Sequence, residues 1–228
     1  MGDFAAKFYQ NFIQDNRYMF LVNGLKNTLI ITVFAVALGL VLGFLVGTIR
    51  STHDKRGGWT VANAICKVYL TVIRGTPTLI QLMISYYVIL VSVNNKILVA
   101  ILAFGINSGA YIAEIVRSGI MSIDEGQYEA GRSLGLDYWT TMRKIIMPQA
   151  FKNVLPALGN EFITLLKETS ISGYIGIQEL TRGGDIIRSK TYTAFLPLIG
   201  VALMYLVIVL FLEFLLGRME RRPRQSDR

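Results

Sequence analysis

Positions 28–49 read TLIITVFAVALGLVLGFLVGTI, a run without a single charged residue. About 20 consecutive apolar residues suffice for a helix to cross the hydrocarbon core of a bilayer. Inside that core every backbone N–H and C=O must be paired within the protein, which leaves helices and closed barrels as spanning structures. Because 53% of the residues are hydrophobic and only 17% are charged, the composition is also typical of membrane proteins. We therefore predict an all-α membrane protein.

Four further segments are candidate spans. Three are largely apolar: 78–93, 97–116 and 195–217. The remaining one, at roughly 153–176, is more polar and is accepted because of the charge pattern described next. Its polar residues include Asn160, Glu161, Lys167 and Glu168.

Lys and Arg are concentrated in 49–76, in 117–152 and in the tail after position 217. An excess of positive residues marks cytoplasmic loops, so all three segments are predicted to be cytoplasmic. The charges of residues 1–24 are balanced, which predicts an N-terminus outside. An outside N-terminus and an inside C-terminus require an odd number of crossings, so 153–176 is predicted to be one of five transmembrane helices. The net charge of +8 is then mainly a topology signal and does not indicate a nucleic-acid partner.

This pattern divides the chain into three parts. Residues 1–24 are predicted to form an interfacial segment, 25–217 a single transmembrane domain, and 218–228 a basic cytoplasmic tail. Cys66 and His53 are the only cysteine and histidine, so the sequence predicts neither an internal disulfide nor a metal site.

The segment 123–148 has the residues of a helical hairpin. Gly135 suits the left-handed position that ends a helix, and Asp137 is a good N-cap for a second helix. Pro148 is expected to stop or kink that second helix before the next span begins. A short helix, a turn and a second helix are therefore predicted to project from the cytoplasmic face.

Three functions are considered for this hairpin. It could be a solvated linker between two spans. A DNA-binding helix-turn-helix is excluded, because the hairpin lies between membrane spans and has no second basic helix. The third is a docking element, since a small helix that ends in glycine and carries an acid near its start can enter a groove on another protein.

The hairpin resembles the EAA loop of ATP-binding-cassette importer permeases, whose pattern is Glu-Ala-Ala, three residues, Gly, nine residues and Ile-x-Leu-Pro. The residues at the matching positions are Glu129, Ala130, Gly131, Gly135, Ile145, Met147 and Pro148. Gly131 replaces the second alanine of the pattern, and Met147 replaces the leucine. Other segments are similar to the polar amino acid permeases of that superfamily, within a resemblance that covers most of 20–217. They are RGTPTLIQL (74–82), SGAYIAEIVRSGI (108–120) and PALGNEFITLLKETSI (156–171).

The resemblance implies a non-enzymatic, multi-pass subunit of an importer of polar amino acids in the cell membrane of a prokaryote. It implies that the hairpin is a coupling loop seated in a cleft of an ATPase subunit. The candidate coupling residues are Glu129, Ala130, Gly131, Gly135 and Pro148. The implied partners are an ABC ATPase dimer, a second permease subunit, identical or closely related, and an extracytoplasmic substrate-binding protein. ATP and magnesium belong on the ATPase, because this chain has no Gly-x-x-x-x-Gly-Lys-Ser/Thr phosphate loop; no cofactor is expected in the chain itself.

Ionisable residues inside the predicted spans are costly and mark candidate sites. Glu161 lies nine residues past Lys152, about 13 Å into the membrane at about 1.5 Å per residue, a depth at which transporters often hold substrate. Its carboxylate could bind the ammonium group of an amino acid, with Asn160 beside it. The alternative is a structural role, such as pairing across a subunit interface. Glu114 and Arg117 are one turn apart and are predicted to form a structural ion pair.

Four other polar residues are candidate substrate contacts: Thr78, Gln81, Asn107 and Tyr111. Pro77 breaks the helix that 61–91 would otherwise form, and the charge count places this break at the cytoplasmic edge. Thr78 and Gln81 lie beyond the break and could line the substrate path. Proline is also a common first residue of an ordinary helix, and small polar groups near Asn107 serve helix packing equally well.

Two alternatives to the importer stay open from the residues alone. An ion-coupled secondary amino acid transporter would need no ATPase, and a membrane anchor for an ATPase would not need Glu161. The same carboxylate slightly favours a cationic amino acid as substrate. Glutamine, glutamate and cystine stay open as well, because any α-ammonium group can pair with a carboxylate.

Overall fold

The computed structural model describes the backbone of residues 2–224 and the side chains of residues 4–218. All regular structure in this part of the chain is helical, which confirms the all-α prediction. The α-helices are α1 (Gly2–Phe8), α2 (Tyr18–Arg56), α3 (Thr60–Arg74), α4 (Thr78–Ile84), α5 (Lys96–Met121), α6 (Glu125–Ser133), α7 (Tyr138–Thr141), α8 (Met147–Glu168), α9 (Leu180–Thr191) and α10 (Phe195–Arg224). Single π-turns occur at Tyr9–Ile13, Ser85–Ile89 and Met142–Ile146, and 3₁₀ turns at Gln14–Asn16 and Thr169–Ile175.

Three of the described helices are long and apolar enough to cross a membrane by length and composition: α2, α5 and, within α10, Phe195–Arg218. The apolar stretch Thr78–Ile89 is shorter. The polar fifth span differs from its predicted bounds of 153–176, because α8 begins at Met147 and its α-helix ends at Glu168. The total of five spans and their orientation stay predictions. The proposed basic tail at 218–228 falls mostly outside the described side chains.

Helices α2 and α5 form the centre of the fold, and three glycines on α2 let them approach closely. A Cβ atom added at Gly43 would overlap the side chain of Ile112, and one added at Gly47 would lie 2.8 Å from the carbonyl oxygen of Ala113. Gly39 makes the third close approach, one turn earlier on the same face. Small residues at four-residue spacing are a common device for packing helices in membranes.

The predicted break near Pro77 is confirmed, because α3 ends at Arg74 and α4 begins at Thr78. The side chain of Gln81 contacts Asn107, which lies near the middle of the 26-residue helix α5. Helices α3 and α4 therefore flank the middle of α5 on either side of the break. The depth of the break in the membrane stays a prediction.

The N-terminal segment and α9 pack together against the start of α2. Phe12 is buried in a cluster with Leu21, Leu180 and Ile187, and Gly24 of α2 closely approaches the backbone of Glu179. The long helix α2 already begins at Tyr18, so only the residues before it form a separate segment. Its interfacial position stays a prediction.

Candidate functional site

A polar junction lies at the centre of the helix bundle, where α8 meets α5. Ser108 is fully buried, and its hydroxyl donates a 2.7 Å hydrogen bond to Glu161 Oε1. Ser108 lies about 18 Å along α5, at about 1.5 Å per residue, close to the middle of that helix. The Glu161 carboxylate is only partly buried, so it combines a fixed partner on α5 with a side open to its surroundings. The neighbouring Asn160 is exposed.

Gln81 and Asn107 form a second part of the junction, next to Ser108. The Gln81 amide nitrogen donates to the carbonyl oxygens of Ile73 at 2.6 Å and of Thr76 at 3.0 Å. Its amide oxygen accepts a 2.9 Å hydrogen bond from Asn107 Nδ2. The polar atoms of Gln81 are thus engaged in joining the end of α3 to α5. This geometry supports a structural role for Gln81 at the break, alongside its candidate role in substrate contact.

The remaining candidates border this junction. Tyr111 lies one helical turn from Asn107 on α5 and is 38% exposed. Thr78 is partly buried at the first position of α4. In the structure Gln81 is hydrogen-bonded to Asn107, and Glu161 is hydrogen-bonded to the adjoining Ser108. Tyr111 and Thr78 lie nearby, and among the described residues neither side chain is hydrogen-bonded to these pairs.

A chain of charged groups continues from the junction along α5. The Arg74 guanidinium lies 5.6 Å from the centroid of the Tyr111 ring and 3.8 Å from Glu114. The predicted pair of Glu114 and Arg117 is confirmed at 3.5 Å, and Arg117 also contacts Asp54 of α2 at 2.9 Å. These groups connect α2, α3 and α5 on the side where the hairpin projects.

The hairpin has the predicted caps. Gly135 has φ +74° and ends α6 in a Schellman motif, with Leu136 N donating to Gly131 O at 3.0 Å and Gly135 N to Arg132 O at 2.9 Å. The Asp137 carboxylate accepts a 3.2 Å hydrogen bond from the N–H of Thr140. Hydrogen bonding to Thr140 lowers the pKa of Asp137, as expected of an N-cap carboxylate at a helix start.

The sequence predicted that Pro148 would stop or kink the second helix. The structure shows that the helix does not stop there. The helical path runs from α7 through the π-turn Met142–Ile146 directly into α8, and Pro148 lies in the first turn of α8. Proline is tolerated there because its missing N–H is not needed by a regular helical bond. The hairpin is therefore continuous with α8, the helix that carries Glu161.

The three residues that match the Glu-Ala-Ala pattern have different surroundings. Glu129 and Ala130 are exposed, whereas Gly131 is buried. A Cβ atom at Gly131 would lie 2.6 Å from the Thr141 side chain. The glycine that departs from the pattern thus makes room for a threonine on α7.

Sequence reasoning missed Glu179, a buried acid at the opposite end of the molecule. Its side chain is N-cap of α9 and accepts 2.6 Å hydrogen bonds from the N–H groups of Thr181 and Arg182. The residue is 1% exposed, and burial raises the pKa of its carboxyl. An acid directly before a helical segment is a capping signal, although nothing local indicates that this cap is buried.

The chain is similar to known membrane proteins over nearly its whole length. Residues 39–225 match the family described as the inner membrane component of binding-protein-dependent transport systems. The glutamine transport system permease protein GlnP of Escherichia coli (strain K12) is 43% identical over 208 residues, which are 90% of this chain and 93% of that protein. The arginine transport system permease protein ArtQ of Bacillus subtilis (strain 168) is 38% identical over 211 residues, covering 91% and 94%.

Solved structures agree with this assignment. A crystal structure of an amino acid ABC transporter with histidines has a chain with a TM-score of 0.83 and 41% identity, covering 92% of this chain and 98% of that one. The inward-facing MetNI methionine ABC transporter has a TM-score of 0.75 at 23% identity, covering 90% and 96%, and supports the fold alone.

Fold and comparisons together define a multi-pass membrane subunit of the ATP-binding-cassette importer class. The chain belongs to the family of inner membrane components of binding-protein-dependent transport systems. Membership implies an ATPase and a binding protein as partners. Membership in this family does not favour the alternative of a self-contained, ion-coupled transporter.

Proposed function

We propose that this permease subunit imports polar amino acids, and that Glu161 contacts the substrate on its way through the membrane. The observation that carries the proposal is the Glu161–Ser108 junction. A carboxylate near the middle of the bundle is expensive unless it is paired or faces a polar path, and Ser108 satisfies only one of its oxygens. The open side of Glu161 is therefore available to an ammonium group.

The proposed orientation has five spans, with the N-terminus outside and the hairpin in the cytoplasm. The spans are α2, the broken pair α3–α4, α5, α8 and α10. Together α3 and α4 supply the length that Thr78–Ile89 lacks. The arginines and lysines of the hairpin and of the end of α2 then lie on the cytoplasmic side, as the positive-inside rule requires.

The proposed assembly contains two permease subunits, two ATPase subunits and an external binding protein. One subunit supplies only half of a channel lining, so a second copy or a close relative is needed, and two-fold symmetry is usual for such pairs. The exposed residues Glu129 and Ala130 of α6 are proposed to enter the ATPase. Gly135 and Pro148 shape the hairpin that presents them.

The substrate class is proposed from shared chemistry. Relatives are named for glutamine and arginine transport, and a similar transporter was crystallised with histidines. All of these molecules carry an α-ammonium group that a carboxylate such as Glu161 binds by a charge-assisted hydrogen bond. The acidic junction gives a slight preference to cationic amino acids. Selection among them also depends on the binding protein.

Uptake into proteoliposomes tests the substrate role of Glu161. The complex of this chain with its ATPase and binding protein is supplied with ATP and a panel of radiolabelled amino acids. We expect uptake of at least one polar amino acid, and a reduction of at least tenfold in Glu161→Gln with assembly intact. Glu213→Gln, which removes an exposed carboxylate from α10, serves as the control. Equal uptake by wild type and Glu161→Gln would remove Glu161 from the path.

Co-purification tests the coupling role of the hairpin. A tagged chain is extracted in mild detergent and examined for a bound ATPase and for ATP hydrolysis. We expect the ATPase with the wild type and its loss with Glu129→Lys. Asp15→Lys makes the same charge change at an exposed acid near the N-terminus and should retain the ATPase. Retention by both variants would show that Glu129 is not a docking residue.

A further inference from the structure

The last turn of α2 and the short connection to α3, residues 53–59 and together called the 53–59 turn, touch the aromatic side chains of the hairpin. The Lys55 ammonium lies 4.2 Å from the centroid of the Tyr128 ring, and the Arg56 guanidinium lies 4.5 Å from that of Tyr138. Both distances are within the range of a cation–π interaction. The two tyrosine rings stack on each other at 5.8 Å, so the two cations face one continuous aromatic surface that spans α6 and α7.

A third contact lies at the start of α3. The rings of Trp59 and Trp139 are 6.2 Å apart, and Trp139 also meets Tyr138 edge to face at 5.2 Å. Trp59 has φ +62°, a left-handed conformation that is uncommon for an aromatic residue and marks a constrained position. Since Trp59 is the N-cap of α3, the contact attaches the beginning of that helix to the hairpin.

Helix α3 connects this contact to the polar junction. It runs from Thr60 to Arg74, and Arg74 reaches Tyr111 and Glu114 on α5. The break that follows is joined to α5 through Gln81. A displacement of the hairpin that moves the first turn of α3 therefore has a short, rigid path to the centre of the bundle.

The apolar base of the hairpin does not replace this connection. Met142 and Ile146 pack in a cluster with Ile112, Val116 and Ile120 of α5. That cluster fixes the hairpin to α5 and α8, and none of its described members belongs to α3. The described ring and cation contacts between the hairpin and the start of α3 run instead through the 53–59 turn, and α3 itself packs on α5.

We propose that Lys55, Arg56 and Trp59, seated on Tyr128, Tyr138 and Trp139, form a clasp that transmits the movement of the coupling hairpin to α3 and the broken span. These are positioning residues, since they act through α3 and do not touch substrate. The inference rests on the proposed function, in which the hairpin enters the ATPase, and adds that ATP binding by that partner moves the hairpin. Cation–π and ring contacts suit this role because they form over a range of distances, within about 6 Å of a ring centroid for a cation and at about 4.5–7 Å between two rings.

A double-mutant cycle in the complete transporter tests the clasp. The variants are Lys55→Gln, Tyr128→Leu and the two combined, each assembled with ATPase and binding protein in proteoliposomes. Two quantities are measured: ATP hydrolysed and amino acid transported per ATP. We expect hydrolysis within twofold of wild type and a loss of at least fivefold in transport per ATP. The combined variant should be no worse than Tyr128→Leu alone, because that change already removes the contact of Lys55 together with the stack on Tyr138.

Conservative variants and a matched control separate transmission from folding. Lys55→Arg and Tyr128→Phe keep the cation and the ring, so transport per ATP should stay within twofold of wild type. Lys190→Gln removes a comparable contact, in which the ammonium lies 4.7 Å from the Phe20 ring at the other end of the molecule, and should also leave the ratio unchanged. If Lys55→Arg fails like Lys55→Gln, the cation–π assignment is overturned.

Failure of the clasp and failure of the proposed function have different outcomes. An unchanged ratio of transport to ATP in Lys55→Gln and Tyr128→Leu overturns the clasp and leaves the importer intact. Loss of the ATPase from these variants alone also overturns it, since the contacts would then serve docking. Absence of ATPase or of uptake with the wild-type chain contradicts the proposed function itself.

Discussion

The two ends of the molecule are held together by different kinds of contact. At the α9 end, comprising residues 9–28 and 176–193, buried polar groups form directed hydrogen bonds. Leu180 N donates to Thr28 Oγ1 at 3.1 Å, and Thr191 Oγ1 donates to Asn11 Oδ1 at 3.0 Å. The four residues whose side chains carry this network are at most 7% exposed: Asn11, Thr28, Glu179 and Thr191.

At the hairpin end, comprising residues 53–59 and 123–148, the contacts between the turn and the hairpin are open to the surroundings. Trp59 is 55% exposed and Trp139 is 46% exposed. Their partners are rings and flexible cations with no fixed hydrogen-bond geometry. Burial of apolar side chains is confined to the base of the hairpin.

The difference indicates which end can move. A buried hydrogen bond that is broken leaves an unsatisfied polar group, which costs about 1–3 kcal/mol for each group. Sliding of exposed rings breaks no such bond. We infer that the α9 end is a rigid platform and that the hairpin end carries the adjustable contacts, as a subunit that receives movement from a partner requires.

The largest expected effect is at the α9 end, in Glu179→Ala. The change removes a buried side chain and leaves the N–H groups of Thr181 and Arg182 without their acceptor, so the free energy of unfolding should fall by about 3 kcal/mol. Thermal unfolding of the purified chain in detergent measures it. Asp137→Ala removes the N-cap of α7 at the exposed hairpin end and should produce a clearly smaller loss. Equal losses would break the distinction between the two ends.

A second prediction concerns the glycine that departs from the Glu-Ala-Ala pattern. Gly131→Ala places a methyl group against Thr141 and should destabilise the hairpin by about 2 kcal/mol, with weaker retention of the ATPase in co-purification. Thr141 Oγ1 is buried and has no hydrogen-bond partner among the described residues. Thr141→Ala should therefore restore ATPase retention in the Gly131→Ala background. Failure of this rescue would show that the two residues do not compete for space.

Gly135→Ala should have a smaller effect on the same hairpin. Nothing lies within 4 Å of an added Cβ, so the change introduces no clash and only the left-handed backbone of Gly135 opposes it. That conformation costs about 1 kcal/mol for a residue other than glycine. Retention of the ATPase at increasing urea compares the variant with Gly217→Ala on α10, where an added Cβ also meets nothing within 4 Å but φ is not positive. Equal retention of the ATPase by the two variants would show that docking does not depend on the left-handed turn at Gly135.

Local signals made parts of this structure predictable. The caps at Gly135 and Asp137 depend on residues within one turn, so the sequence indicated the hairpin before any tertiary contact was known. The break at Pro77 is local for the same reason. The glycines at 39, 43 and 47 are four residues apart, a spacing that indicates close packing between helices. The spacing was missed because only the apolar length of this segment was used to predict a span.

Features that depend on distant contacts were not predictable. Glu179 has the pattern of an ordinary loop acid, and its burial depends on α2, about 150 positions away along the chain. The clasp joins residues of the 53–59 turn to residues of the hairpin, and no period or motif relates them. Lys67 and Arg74 counted as loop charges in the sequence, whereas they lie on α3, a helix that packs along α5.

The smallest expected effect is a pH-dependent one at the α9 end. Asp185 lies between Arg182, at 2.7 Å, and Arg188, whose Nε is at 2.8 Å; the hydrogen bond from Arg188 lowers the pKa of this carboxyl. A carboxyl with a lowered folded-state pKa contributes stability above its unfolded pKa of about 3.9, and that contribution is lost as the pH falls through the folded value. Asp185→Asn should therefore unfold at a slightly lower temperature than wild type near pH 7, by the equivalent of about 0.5 kcal/mol, and at the same temperature once the pH lies below the lowered pKa of the folded state. Because the pairs are exposed, high salt at pH 7 should shrink the difference as well. A difference that persists in acid and in salt would mean that Asp185 belongs to the buried network of the α9 end rather than to its solvated surface.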